Sequence, residues 1–300
     1  MKSWQAAADK IRRRNINEVI ESIEVETPFG FDPAFDASDV PDFLEASWEV
    51  IGGGHEAVIT LPGRDMNFAR DLLISIKKFC HVLECATHAR NRGALTWALV
   101  DAYHAALLGS RVVAALYGAL SYTVNGRTVL VDFRPNLGSV DEVKRFQRDF
   151  KGVAEPVLIL RPQKALLEQK DSWALISRLS SIGRIGQTGV ELEFCSLLED
   201  LAKSSLGAIR NLILYDSVYW TWRYDFGAGP FDERALSAEF VSDDESVRRL
   251  LDSLKALVSS VRRYVAQLLA HLGIEEGAFP ELANDVPAIT QVVHSGANEV

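Results

Sequence analysis

The stretch SSLGAIRNLILYDSVYW, Ser204 to Trp220, sets an arginine and an asparagine side by side on an apolar run of helical character, with a tyrosine five positions after the arginine. Arginine carries a planar fork of donors that fits phosphate, and it keeps its charge at working pH. Tyrosine can donate a hydrogen bond or stack on a base, but a pKa near 10 makes it a poor proton acceptor at neutral pH. Arg210, Asn211 and Tyr215 are therefore the candidate catalytic set. They suit the gripping of a phosphate or nucleotide and lack an obvious group for proton transfer. A plainer role is open to each. Arg210 can pair with Glu199 or Asp200, the acids that precede it in the sequence. Asn211 can satisfy backbone groups at a helix junction, and Tyr215 can belong to the core.

A second constellation lies in FCHVLECATH, residues 79 to 88. At about 100° per residue, His81, Cys85 and His88 fall within roughly 60° of one another on a helix. Three donors of the zinc type then point one way. A fourth ligand would have to come from elsewhere, His104 or a water, and structural zinc sites usually draw on loops or separate elements. No metal and no cofactor is expected, and Cys80 and Cys85 read as plain small side chains. The aromatic run from Tyr215 to Phe226, with Arg223 inside it, fits either a stacking platform for single-stranded nucleic acid or a connection locked onto the core. Asp243, Asp244 and Glu245 stand before a long helix, where acids meet its N-terminal dipole. The sequence contains neither a Gly-x-Ser-x-Gly elbow nor HExxH.

These residues are set in a chain of 300 with an ordinary globular balance, 48% apolar and 24% charged. That length suffices for one large domain or two ordinary ones. The net charge of −9 is unevenly placed. Asn15 to Gly63 holds eleven acidic residues and no Lys or Arg, so the remainder sums to about +2. An acidic chain is a poor general binder of nucleic acid, because phosphate contacts supply most of that affinity. Nonspecific DNA binding is not expected, while RNA remains open as a partner of a local basic groove. The acidic segment reads as a solvated arm or as a docking surface for a basic partner. Three cysteines cannot form a disulfide framework, and the N-terminus has no continuous apolar leader. The richest apolar run, Gly93 to Leu120, is interrupted by Asp101, His104, Gly109, Ser110 and Arg111, so no membrane span is expected. A cytoplasmic setting follows.

The pattern along the chain is mainly helical. Helices are expected over 3–25, 42–50, 64–90, 93–120 with a break at Gly109-Ser110, 139–151, 163–182, about 190–220 and 243–272. Leu72, Ile76, Phe79, Leu83 and Ala86 follow the spacing of one buried helix face. SYTVNGRTVLVDF, 121 to 133, is a hairpin, since Asn125-Gly126 supplies both positive φ values of a type I′ turn. AVITL (57–61) reads as a short strand, and VLIL (157–160) as a strand or extended segment. GGGH, 52 to 55, lacks the lysine and the strand-to-helix placement of a phosphate loop.

Residues 190 to 272, read as a helix ending near Leu201, the Arg-Asn helix, an aromatic connection and a long closing helix, resemble HEPN domains, four-helix modules of many prokaryotic ribonucleases, toxins and defence systems. Nuclease members carry Arg, four to six residues, then His, often with a polar residue after the Arg. Arg210 and Asn211 match the first part, and Tyr215 stands where the shortest spacing requires histidine. GALTWALVDAYHAALLG, 93 to 109, resembles the first helices of these modules, and the whole outline resembles YaaC-like bacterial proteins. The resemblance implies a mainly α fold, a multi-helix HEPN-like bundle with a small β-hairpin insertion. Its parts are an acidic N-terminal arm with helices (1–63), a helical core with hairpin 121–133 (64–183), HEPN-like C-terminal helices (184–274) and an irregular tail (275–300). Metal-independent RNA cleavage needs a base, an acid and stabilisation of the phosphorane charge, and histidine suits the proton steps. Its replacement implies a degenerate site in an interaction or regulatory component, with a protein partner or a second copy bound. The alternative is an RNA-cleaving or RNA-binding enzyme using Arg210 and Tyr215, with His104 or His271 brought near by folding.

Overall fold

The computed structural model describes residues 15–25, 39–49, 56–92, 94–134, 156–160 and 244–275. In chain order these form α1 (Ile16–Glu21), α2 (Val40–Ala46), β1 (Glu56–Thr60), α3 (Arg64–Asn91), α4 (Leu95–Leu116), β2 (Ala119–Val124), β3 (Arg127–Asp132), β4 (Pro156–Leu160) and α5 (Asp244–Leu272). They are mostly helical, as the sequence pattern predicts. The helices expected over 139–151, 163–182 and 190–220, the 52–55 glycines and the tail beyond Glu275 lie outside the described residues.

Local chemistry accounts for several boundaries. The first helix ends at Glu21, short of the expected residue 25, where Ser22 turns its hydroxyl back onto the Val19 carbonyl at 2.8 Å. In α2 the start is earlier than expected, because Pro41 sits in the first turn, where its missing N–H leaves nothing unpaired. Gly273, at φ +67°, ends α5 in a Schellman arrangement, with Gly273 N–H on the Ala270 carbonyl and Ile274 N–H on that of Leu269. Asn125 and Gly126 take φ values of 50° and 68°, the type I′ turn read from Asn-Gly.

The hairpin is part of a small sheet, in which β1 and β4 join it in a four-stranded antiparallel order β1-β4-β3-β2. Register places Val131 opposite Ile159 and Val58 opposite Leu158. Alternation then sends Ile59, Val129, Val131, Val157 and Ile159 into the main core, while Val58, Leu130 and Leu158 are buried on the other face. The same core takes Ile16, Val19 and Ile20 of α1, the predicted face of α3, and the apolar stripe of α5 from Leu250 to Leu272.

One expectation about α4 is corrected. The helix does not break at Gly109-Ser110, since it runs unbroken to Leu116. By length and composition Trp97–Leu116 is long and apolar enough to cross a membrane, and most of its alanines are packed inside the chain's own core. The Ser110 hydroxyl bonds back to the Leu107 carbonyl at 2.6 Å. Gly109 marks the point of closest approach. A Cβ there would stand 2.8 Å from Leu257 Cδ2 of α5 and 3.0 Å from Phe79 Cε2 of α3.

Gly109→Ala therefore sets two effects against each other. Helix propensity favours alanine by about 1 kcal/mol, and overpacking costs about 1–3 kcal/mol. The variant should lose up to about 2 kcal/mol in urea denaturation, by the difference between those two effects. Combined with Leu257→Ala, it should lose less than the sum of the single changes. A double variant that loses the full sum of the two single changes would mean the three helices stand further apart than described.

Candidate functional site

Arg210, Asn211 and Tyr215, with the aromatic run after them, lie outside the described residues. The structure places the other candidates. His81 and His88 are exposed and Cys85 is half-buried, all on the outer side of α3, away from Leu83 and Ala86. Cys85 Sγ meets His81 Nε2 at 3.8 Å. His88 turns instead to Glu84, 3.5 Å away. Among the described residues no three His, Cys, Asp or Glu side chains gather closely enough to hold a metal ion.

His271, near the end of α5, reaches the N-terminal segment, where its Nε2 lies 2.8 Å from the Ile23 carbonyl oxygen. A carbonyl only accepts, so Nε2 carries the hydrogen and donates. His104 lies edge-on to Tyr103 on α4, half-exposed on a strip with Trp97, Asp101, Leu108 and Arg111. Burial raises the Asp101 carboxyl above its ordinary value, against the pull of His104. Trp97, at 45%, is the one large apolar side chain among the described residues that stands well exposed.

The tightest polar cluster was not among the sequence candidates. Asp65, in the first turn of α3, is only 4% exposed. Its Oδ1 accepts from Arg64 Nε at 2.6 Å and from Arg134 Nη1 at 2.7 Å, and its Oδ2 accepts from the Glu24 amide at 2.6 Å. Burial alone would raise the Asp65 pKa. The bonds from Arg134, Arg64 and Glu24 outweigh it and leave the group below its ordinary value. The Arg134 guanidinium also lies over Phe68, 5.6 Å from the ring centre. Phe68 packs on Phe133 at 5.1 Å. A turn along α3, Asp71 accepts from the hydroxyl of Tyr122 on β2. Burial, and then Asp71, push that phenol well above its usual pKa.

The partners lie far apart in sequence. Asp65 and Arg134 are 69 residues apart, and Asp71 and Tyr122 are 51 apart. No periodicity couples such residues. The one local sign is that Arg134 directly follows the hairpin and precedes Pro135. Chemically the cluster is an anchor. Its carboxylate is held ionised and its donors point inward, so it ties the segment at Glu24, the start of α3 and the end of β3 into one unit.

Compared with known proteins, no family model, no curated protein and no solved structure matches this chain.

Removing one partner from a buried ion pair costs about 3–5 kcal/mol. Asp65→Asn should lose close to that in chemical denaturation. The sign with pH follows from the depressed carboxyl. Its contribution is complete above the ordinary carboxylate value of 3.8 and is lost as pH falls through the lower folded value. Wild-type stability should therefore drop in that acid range, and Asp65→Asn should show a flatter acid limb. Parallel limbs in the two proteins would remove Asp65 from the acid response.

Proposed function

We propose that this chain is a HEPN-like component with a degenerate nuclease-type site, cytoplasmic, and acting through interaction or regulation in a toxin, antiphage or stress-response setting. The reading rests on one sequence observation: Arg210-Asn211 with tyrosine where the proton-transferring histidine should stand. The mostly helical core supports it, with its alanine-rich α4 held between α3 and the long closing α5. Phosphate can be gripped by such a residue set, but the 2′-hydroxyl finds no base near neutral pH. Arg210 and Asn211 are then kept for binding, and the acidic segment 15–63 offers a surface to a basic partner. A homodimer fits this reading. Because the apolar stripe of α5 is buried within the chain, subunits would meet through another face.

The test incubates purified protein with structured and single-stranded RNA at neutral pH, beside an Arg210→Ala variant, while light scattering follows the oligomeric state. A degenerate component leaves both RNAs intact and elutes larger than a monomer. Cleavage abolished by Arg210→Ala would overturn the degenerate reading in favour of a ribonuclease using Arg210 and Tyr215. A strict monomer at high concentration would remove the homodimer.

A further inference from the structure

The half-exposed strip of α4 repeats at heptad spacing. Trp97, His104 and Arg111 follow one another every second turn, with Asp101 and Leu108 between them. Such a four-then-three seam is the pattern along which one helix meets another. We propose that this strip is the face through which two copies of the chain associate, their α4 helices antiparallel, so that Arg111 of each meets Trp97 and Asp101 of the other copy. This face belongs to the homodimer of the proposed function and rests on that part of the reading; the Arg210 site plays no part in it.

The strip carries charges that one helix cannot bring together. Arg111 is exposed, and among the described residues no carboxylate acts on it. Asp101, the acid of the same strip, stands about 15 Å away along the axis, well beyond pairing distance. Burial raises the Asp101 carboxyl, and His104 offsets this only in part. Trp97, 45% exposed, lies one turn before Asp101. An indole and a carboxylate therefore stand at one end of the strip and a guanidinium at the other.

Two-fold symmetry decides the setting. A parallel pair would set Arg111 against Arg111 and Asp101 against Asp101, which repels. An antiparallel pair turns about a point beside His104, midway between Trp97 and Arg111. Each Arg111 then comes opposite Trp97 of the other copy, one turn from its Asp101. The guanidinium can lie on the indole and bond the carboxylate at the same time. Both ends match together, because a two-fold interface repeats every contact. Leu108 adds apolar area between the charged ends. A single helix seam lies at the low end of interface sizes, so the association depends on concentration.

Light scattering over a concentration series follows the full chain, its Arg111→Glu and Asp101→Arg variants, and an equal mixture of the two variants. We expect the unaltered chain to dimerise. Each variant alone sets like charges at both ends and should weaken association by about tenfold or more. Mixed, the two variants have opposite charges at both ends and should recover most of the lost association as a mixed dimer. That recovery also requires both variants to be folded. Variants that dimerise as the unaltered chain does, or a mixture no better than its components, would overturn this face and leave the homodimer standing. An unaltered chain that stays monomeric at high concentration would remove the homodimer and the face together.

Discussion

A carboxylate taken out of water must have its charge met where it lies, and Asp65 meets that demand from three directions at once. Arg64 comes from the same turn, the Glu24 amide from the N-terminal segment, and Arg134 from the end of the hairpin. Each partner is fixed by the others, because a donor that drifted away would leave the charge uncompensated at low dielectric. The position of the sheet relative to α3 follows. Phe68 and Phe133 pack under the guanidinium, and Tyr122 closes the next turn onto Asp71. Hydrophobic burial drives the collapse of this core, but it does not specify direction. The polar anchor does, by permitting few alternative settings of strand against helix.

The helical side is governed by closeness. α4 has alanine at half of its core positions and a glycine where α3 and α5 meet it, so backbones approach where larger side chains would hold them apart. A helix apolar on nearly all sides can satisfy that composition in lipid or in protein, and here its neighbours are α3, α5 and the sheet. The consequence reaches outward. With the stripes of α3, α4 and α5 consumed inside, the one large apolar side chain that the described helices leave well exposed is Trp97, next to Asp101 and His104 on the strip of α4.

Local pattern carried much of this architecture. The Asn-Gly turn fixed the hairpin, the three-to-four spacing from Leu72 to Ala86 fixed the buried face of α3, and the stripe of α5 was plain from Leu250 to Leu272. Wherever the determining contact was distant, the pattern failed. Gly109-Ser110 resembles a helix break because the residues that make glycine necessary, Phe79 and Leu257, are remote in sequence. Strands β1 and β4 were visible as short β-branched runs, but β4 pairs with β3 of the hairpin across about 30 residues, and β1 then pairs with β4 across about a hundred. Asp65 is one acid in the first turn of a helix, and nothing in the sequence near it points to Arg134. Arg210, Asn211 and Tyr215 fall outside the described residues, so their reading rests on motif chemistry alone.

The two histidines considered as proton carriers for an Arg210 site are not equivalent. His271 donates from Nε2 to the Ile23 carbonyl, so its ring fastens the end of α5 to the segment that also delivers the Glu24 amide to Asp65. Recruiting it to chemistry would leave that carbonyl without this donor and loosen the same segment that the buried carboxylate holds. His104 instead lies edge-on to Tyr103 on α4. It stands on the half-exposed strip of the central helix, beside an acid, Asp101, whose carboxyl burial already raises. An imidazole near a carboxylate on a rigid helix is the arrangement that proton transfer favours. If histidine serves phosphate chemistry in this chain, the physical preference is for His104, because its use leaves the bond from His271 to the Ile23 carbonyl in place.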